Sequence, residues 1–177
     1  MADWVFAQFK SNPITGSIEL GATVSFAKVN WVVQHITGNY VVLMYKGADK
    51  CGVYNSKNTS DYAGSDIAAA CSSFENNLGM EALSYCLTVN TRGVLGKAFI
   101  PTKDQLENQW AWPSKGAAYR ATGTAYFTCT PYDPNEGSSR PAVWAISSQG
   151  ESGSSFMYAS GFYARYYPCM YVQYKGF

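Results

Sequence analysis

The stretch "SIELGATVSF" sets apolar residues at every second position, with Ile18, Leu20, Ala22, Val24 and Phe26 on one side of the chain. Side chains alternate faces only in extended backbone, so this period of two predicts a half-buried β-strand. "VNWVVQHITGNYVVLMYK" follows directly, two β-branched and aromatic runs parted by "TGN". That pattern predicts a hairpin with Gly38-Asn39 in its turn. The unbroken apolar run from Val41 to Tyr45 predicts that the second strand lies inside a sheet, covered on both faces.

The period then changes. In "SDIAAACSSFENNLG", Ile67, Ala70, Cys71, Phe74 and Leu78 fall at helical spacing, Ser65 is placed to cap the N-terminus and Gly79 to stop the helix. A shorter helix is expected from Met80 to Leu87. In "PTKDQLENQW" a third is expected, with Thr102 and Gln105 as a capping box and Leu106 facing inward. Beyond residue 113 the runs "TAYFTCT", "RPAVWAIS", "SFMYAS" and "YPCMYVQY" read as strands, separated by the polar turns "PYDPNEGSS" and "SSQGESG". The order is a β-hairpin, two or three helices and a second set of antiparallel strands, an α+β domain. At 177 residues the chain suits one domain. We expect it over residues 16–177, preceded by an arm over residues 1–15 that serves oligomerisation or attachment.

Charge narrows the function classes. The formal net charge is +1, and charged residues make up 14% of the chain against about 25% in ordinary domains. Nucleic-acid binding by phosphate neutralisation needs a concentrated basic footprint, so it is not expected. No apolar run approaches the roughly 18 residues of a membrane span, and "MADWVFAQFK" lacks the basic start and apolar run of a secretory signal. The five cysteines, Cys51, Cys71, Cys86, Cys129 and Cys169, form no C-x-x-C pair. They read as free or buried thiols of a protein folded in a reducing cytoplasm.

Catalytic and metal constellations are sparse. The one histidine, His35, sits within a strand and has no second histidine with which to share acid-base work. Asp133, Asn135 and Glu136 offer the oxygen ligands calcium takes, but turn chemistry accounts for the same letters. No metal, no cofactor and no catalytic residue is expected.

The last twenty-five residues are the most distinctive. "GSSFMYASGFYARYYPCMYVQYKGF" holds six of the fourteen tyrosines, three phenylalanines and two charges. In a strand, Phe162-Tyr163 and Tyr166-Tyr167 put neighbouring rings on opposite faces. Each buried tyrosine hydroxyl also needs a partner. Tyr, Ser, Gly and Arg together are the composition of binding surfaces, where rigid rings give contact area at low entropic cost. The candidate ligand-binding residues are Tyr158, Ser160, Phe162, Tyr163, Arg165, Tyr166, Tyr167 and Tyr171 on a terminal hairpin, with Gln149 and Glu151 on the adjacent loop. Phe156 and Tyr171 also suit packing beneath the hairpin, and an oligomer seam would use the same rings.

The order of "GATVSFAKVNWVVQHITGNYVVLMYK", the helices, "FIPTKDQLENQW" and "VWAISSQGESGSSFMYASGFYARYYPCMYVQ" resembles C-type-lectin-fold domains, over roughly residues 16–175. The likeness is to the formylglycine-generating-enzyme-like branch, which includes phage and bacterial receptor-binding domains and the variable proteins of diversity-generating retroelements. It lies in Trp144 with Ser147 and Ser148, in Ser160-Gly161, and in Tyr171-Val172-Gln173. Gln173 stands where those relatives carry arginine, and Tyr174 where proline is common. The resemblance implies a C-type-lectin-like fold and a non-enzymatic recognition module that contacts a host-surface protein or glycan through its final hairpin. It also implies a virion-surface location after synthesis in the host cytoplasm, as a homo-oligomer or attached to a larger assembly. A cytoplasmic address, or the bacterial surface by a route without a signal, are the alternatives. Because the sulfatase-activating relatives use two late cysteines, Cys129 and Cys169 carry an alternative reading as a copper-oxidase pair, and a purely structural virion subunit is another.

Overall fold

A computed structural model describes residues 11–47, 51–110, 125–133, 140–149, 156–160 and 164–176. It is an α+β arrangement of two sheets, a small hairpin and short helices.

The first sheet has the order β1-β2-β3-β11, from strands β1 (Thr23–Phe26), β2 (Val29–Thr37), β3 (Tyr40–Tyr45) and β11 (Cys169–Gln173). The expected turn holds, with Gly38 at φ +56°, a conformation a residue with Cβ adopts at a cost. The apolar run of β3 is explained by its place between β2 and β11. Val41 and Leu43 enter one hydrophobic cluster, Val42 and Met44 the other. The alternation read from Ile18 to Phe26 is kept in burial, but regular strand begins only at Thr23. A turn in which Ala22 N–H donates to the Glu19 carbonyl at 3.0 Å interrupts the earlier part. Ile14 is buried and Thr15 bridges Ser25, so the chain has joined the domain two residues ahead of the boundary expected at residue 16. Residues 1–10 of the expected arm lie outside the described residues.

Helix α1 (Asp66–Asn76) starts where Ser65 Oγ accepts from Ala68 N–H at 3.0 Å. Its buried face of Ile67, Ala68, Cys71 and Phe74 packs on the first sheet, with the Phe74 ring edge-on to Trp31 at 5.7 Å and to Tyr45 at 5.2 Å. Helix α2 (Met80–Leu83) is shorter than expected. A hairpin of β5 (Val89–Thr91) and β6 (Val94–Gly96) follows. The capping box forms as read: Thr102 N–H donates to Gln105 Oε1 at 2.9 Å and Gln105 N–H to Thr102 Oγ1 at 3.0 Å. The turn it opens is π-helical over Gln105–Gln109, with Leu106 buried.

The second sheet has the order β4-β10-β7-β8-β9, from β4 (Cys51–Gly52), β10 (Ala164–Arg165), β7 (Tyr126–Pro131), β8 (Ala142–Ile146) and β9 (Phe156–Tyr158). This overturns the terminal hairpin. β9 pairs with β8 at the edge, β10 lies between β4 and β7, and β11 crosses to the first sheet to pair with β3. The chain therefore passes between two sheets in the stretch expected to project from them.

Candidate functional site

Those of the ten expected contact residues that are described do not share one surface. Glu151, Phe162 and Tyr163 lie outside the described residues. Tyr166 and Tyr167 are a correction: they retain 7% and 5% of their accessibility and belong to the core. Their opposite orientations, read as an argument for exposure, are satisfied because each ring enters a different hydrophobic cluster. Tyr167 stands edge-on to Tyr126 at 5.1 Å. Arg165 is half-buried in β10. Tyr171 stacks on Phe99 at 5.8 Å in the other sheet. Gln149 is exposed in the turn after β8, where its Oε1 accepts from Ser148 Oγ at 3.0 Å.

Tyr158 and Ser160 remain, and they lead to the site. In β8, Val143 points into the main core, so Trp144 must point to the opposite face. The register pairs Trp144 with Phe156 and Ala142 with Tyr158, which puts these side chains on that face. All three rings are half-buried. Tyr132, just past β7, completes the row: it stacks on Phe156 at 4.5 Å and meets Trp144 at 4.8 Å, while Phe156 meets Tyr158 at 5.8 Å. Cations flank it. Lys103 Nζ lies 3.4 Å from the Trp144 ring centre and the Arg140 guanidinium 5.7 Å from that of Tyr158, distances at which a cation is drawn to a ring face.

Beside this row is a cleft of about 310 Å³ lined by the 58–61 loop, Tyr132, Arg140 and Pro141. Tyr132 and Arg140 belong to both, so row and cleft are continuous. The loop is held from below by Asn55, only 2% exposed. The Asn55 amide donates to Thr59 Oγ1 at 3.0 Å and to the Asp61 carbonyl at 3.3 Å, and its Oδ1 accepts from Lys57 N–H at 3.0 Å. Asn55 N–H donates to the Ala159 carbonyl at 2.8 Å, tying the loop to the end of β9. Ser160 Oγ then donates to Asn58 Oδ1 at 2.6 Å. Asn58 has φ +57°, a left-handed conformation asparagine tolerates. A buried amide satisfied on both sides fixes a polar loop against a rigid aromatic wall.

The two late cysteines are enclosed. Cys129 and Cys169 are fully buried, in different hydrophobic clusters. Burial pushes the Cys129 thiol up to about 12 and holds that of Cys169 well above its ordinary range. The thiolate is the reactive and metal-binding form, so these surroundings suit packing thiols. Among the described residues, no group of three or more His, Cys, Asp or Glu side chains is placed to hold a metal ion. His35 lies at a bulge in β2, and partial burial lowers its pKa. No described helix is long and apolar enough to cross a membrane. Asp133 is exposed after β7, and Asn135 and Glu136 lie outside the described residues.

Reading the sequence missed Tyr132, Arg140 and the 55–61 loop. The alternation in "RPAVWAIS" does mark Trp144 as opposite to Val143 and Ala145. Nothing local reports that Phe156 and Tyr132 lie beside it, because register and sheet order are tertiary facts. Comparison of the chain with protein-family models, with curated proteins and with solved structures finds no match.

Proposed function

We propose that this chain is a non-enzymatic recognition module on a C-type-lectin-like scaffold, a virion receptor-binding or surface-display protein whose contact surface is the outer face of β8 and β9. The observation that carries this is the row of half-buried Trp144, Phe156 and Tyr158, backed by the buried ring of Tyr132, with Arg140 and Lys103 at its sides. Rings locked by one another lose little freedom on binding, and Trp, Tyr and Arg are the residues that dominate binding energy. The order of hairpin, helices and returning strand supports the scaffold.

The test is Tyr158→Ala and Arg140→Ala, each measured for thermal stability and for adsorption of the labelled protein to bacterial cells. Near-unchanged melting with adsorption reduced tenfold or more is the expected result. Adsorption equal to that of the unaltered protein in both variants would remove the surface from consideration. A tight oligomer in solution that shields Tyr158 from solvent would favour a structural subunit instead.

A further inference from the structure

We infer that residues 4–9 of this chain, "WVFAQF", dock in a cleft between the β1–β2 turn and helix α2 of the same molecule. The cleft shares no lining residue with the aromatic row on β8 and β9, so the inference does not depend on the reading of that face. It holds about 540 Å³, within the range of roughly 300 to 1,000 Å³ that binding pockets occupy. Phe26, Leu78, Ala82 and Tyr85 line it, and each belongs to the main hydrophobic cluster or packs against it.

Helix α2 is the element that lacks cover. It is four residues long and buries none of them. Short helices are marginal in water and owe their stability to the packing of an apolar face. Met80, its first residue, also lines the cleft and is 89% exposed, the highest value for a large apolar side chain among the described residues. One exposed methionine would need no explanation. A helix with no buried side chain, beside a cleft backed by the core, does.

The occupant follows from where the described residues start. Ser11 and Pro13 line this cleft, Asn12 Oδ1 accepts from Ile14 N–H at 3.0 Å, and Ile14 is anchored in the core. An extended residue spans at most about 3.6 Å, so the Phe9 Cα lies within about 7 Å of that of Ser11, and the Phe6 Cα within about 18 Å. In "WVFAQF" every residue but Gln8 is apolar. A tether this short gives an effective concentration on the order of millimolar, and a segment of the same chain loses no translational freedom on docking. Both favour the chain's own segment over that of a second copy. The stretch read from sequence as an attachment arm is thereby part of the domain.

The experiment is hydrogen exchange of the full chain, followed by mass spectrometry on peptides covering residues 2–10. In the unaltered protein these amides should exchange tenfold or more slowly than in a synthetic peptide of the same sequence. Phe9→Asp, which replaces a docked ring by a charge, and Met80→Asp, which alters the exposed lip of the cleft, should each return them to the peptide's rates. Exchange in α1 and β3 should be unchanged in both variants, which shows that the domain remains folded. Peptide-like rates in the unaltered protein, or protection that survives both variants, would overturn the inference. Protection that falls on dilution, together with a dimeric mass, would assign the segment to a second copy and overturn it as well.

Discussion

Phe156–Tyr158 and Ala164–Tyr167 are two pieces of one aromatic stretch with opposite fates. The first forms an edge strand whose rings stay half-exposed, whereas the second threads between β4 and β7 and delivers Tyr166 and Tyr167 to two hydrophobic clusters. Their compositions are alike. What differs is the number of neighbours: an edge strand has a partner on one side, and an interior segment has sheets and helices on all sides. Tyrosine serves both because its ring packs and its hydroxyl hydrogen-bonds.

The comparison breaks most directly at Tyr167. Tyr167→Ala should lower stability by about 3–5 kcal/mol, the range for truncating a buried aromatic, measured by urea unfolding. Asn55→Ala should cost about 1–3 kcal/mol, because the loop groups it satisfies would be left unpaired. Ser65→Ala removes the cap of α1 and should cost about 1 kcal/mol with adsorption unchanged. Tyr158→Ala should cost about 1 kcal/mol or less, for its ring contacts alone, while reducing adsorption. If Tyr158→Ala proved as destabilising as Tyr167→Ala, the two pieces would not differ in kind.

A fifth prediction concerns the thiols. Burial pushes Cys71, Cys86 and Cys129 up to about 12 from an ordinary value near 9. A raised folded-state value means that the contribution of these neutral thiols is fully present below about pH 9 and is lost as pH rises toward 12. Stability should therefore decline on the alkaline side from about pH 9. At pH 8 a thiol reagent should label Cys71, Cys86, Cys129 and Cys169 only on unfolding; rapid labelling of Cys129 or Cys169 in the folded protein would reopen the oxidase reading.

Much of the fold was legible because its signals are local. The Gly38 turn, the cap at Ser65 and the box of Thr102 and Gln105 are set by residues within three positions of each other. The continuous apolar run of β3 announced burial on both faces. β4 and β10, of two residues each, carried no periodicity to read, since a period needs several residues to repeat. The candidate site was legible only in part. Tyr158 and Ser160 were named from composition, but Tyr132, Arg140 and Asn55 are distant in sequence from one another and from β9.

The sequence by itself determined the β2–β3 hairpin and its turn, helix α1 with its cap, the Thr102–Gln105 box and the concentration of rings near the C-terminus, because side-chain period, capping and turn chemistry act over a few neighbouring positions. Only the tertiary structure decided which rings are core and which are surface. Exposure depends on strand order and on what covers each face, and here the chain crosses between two sheets after Arg165, a step that no local pattern encodes.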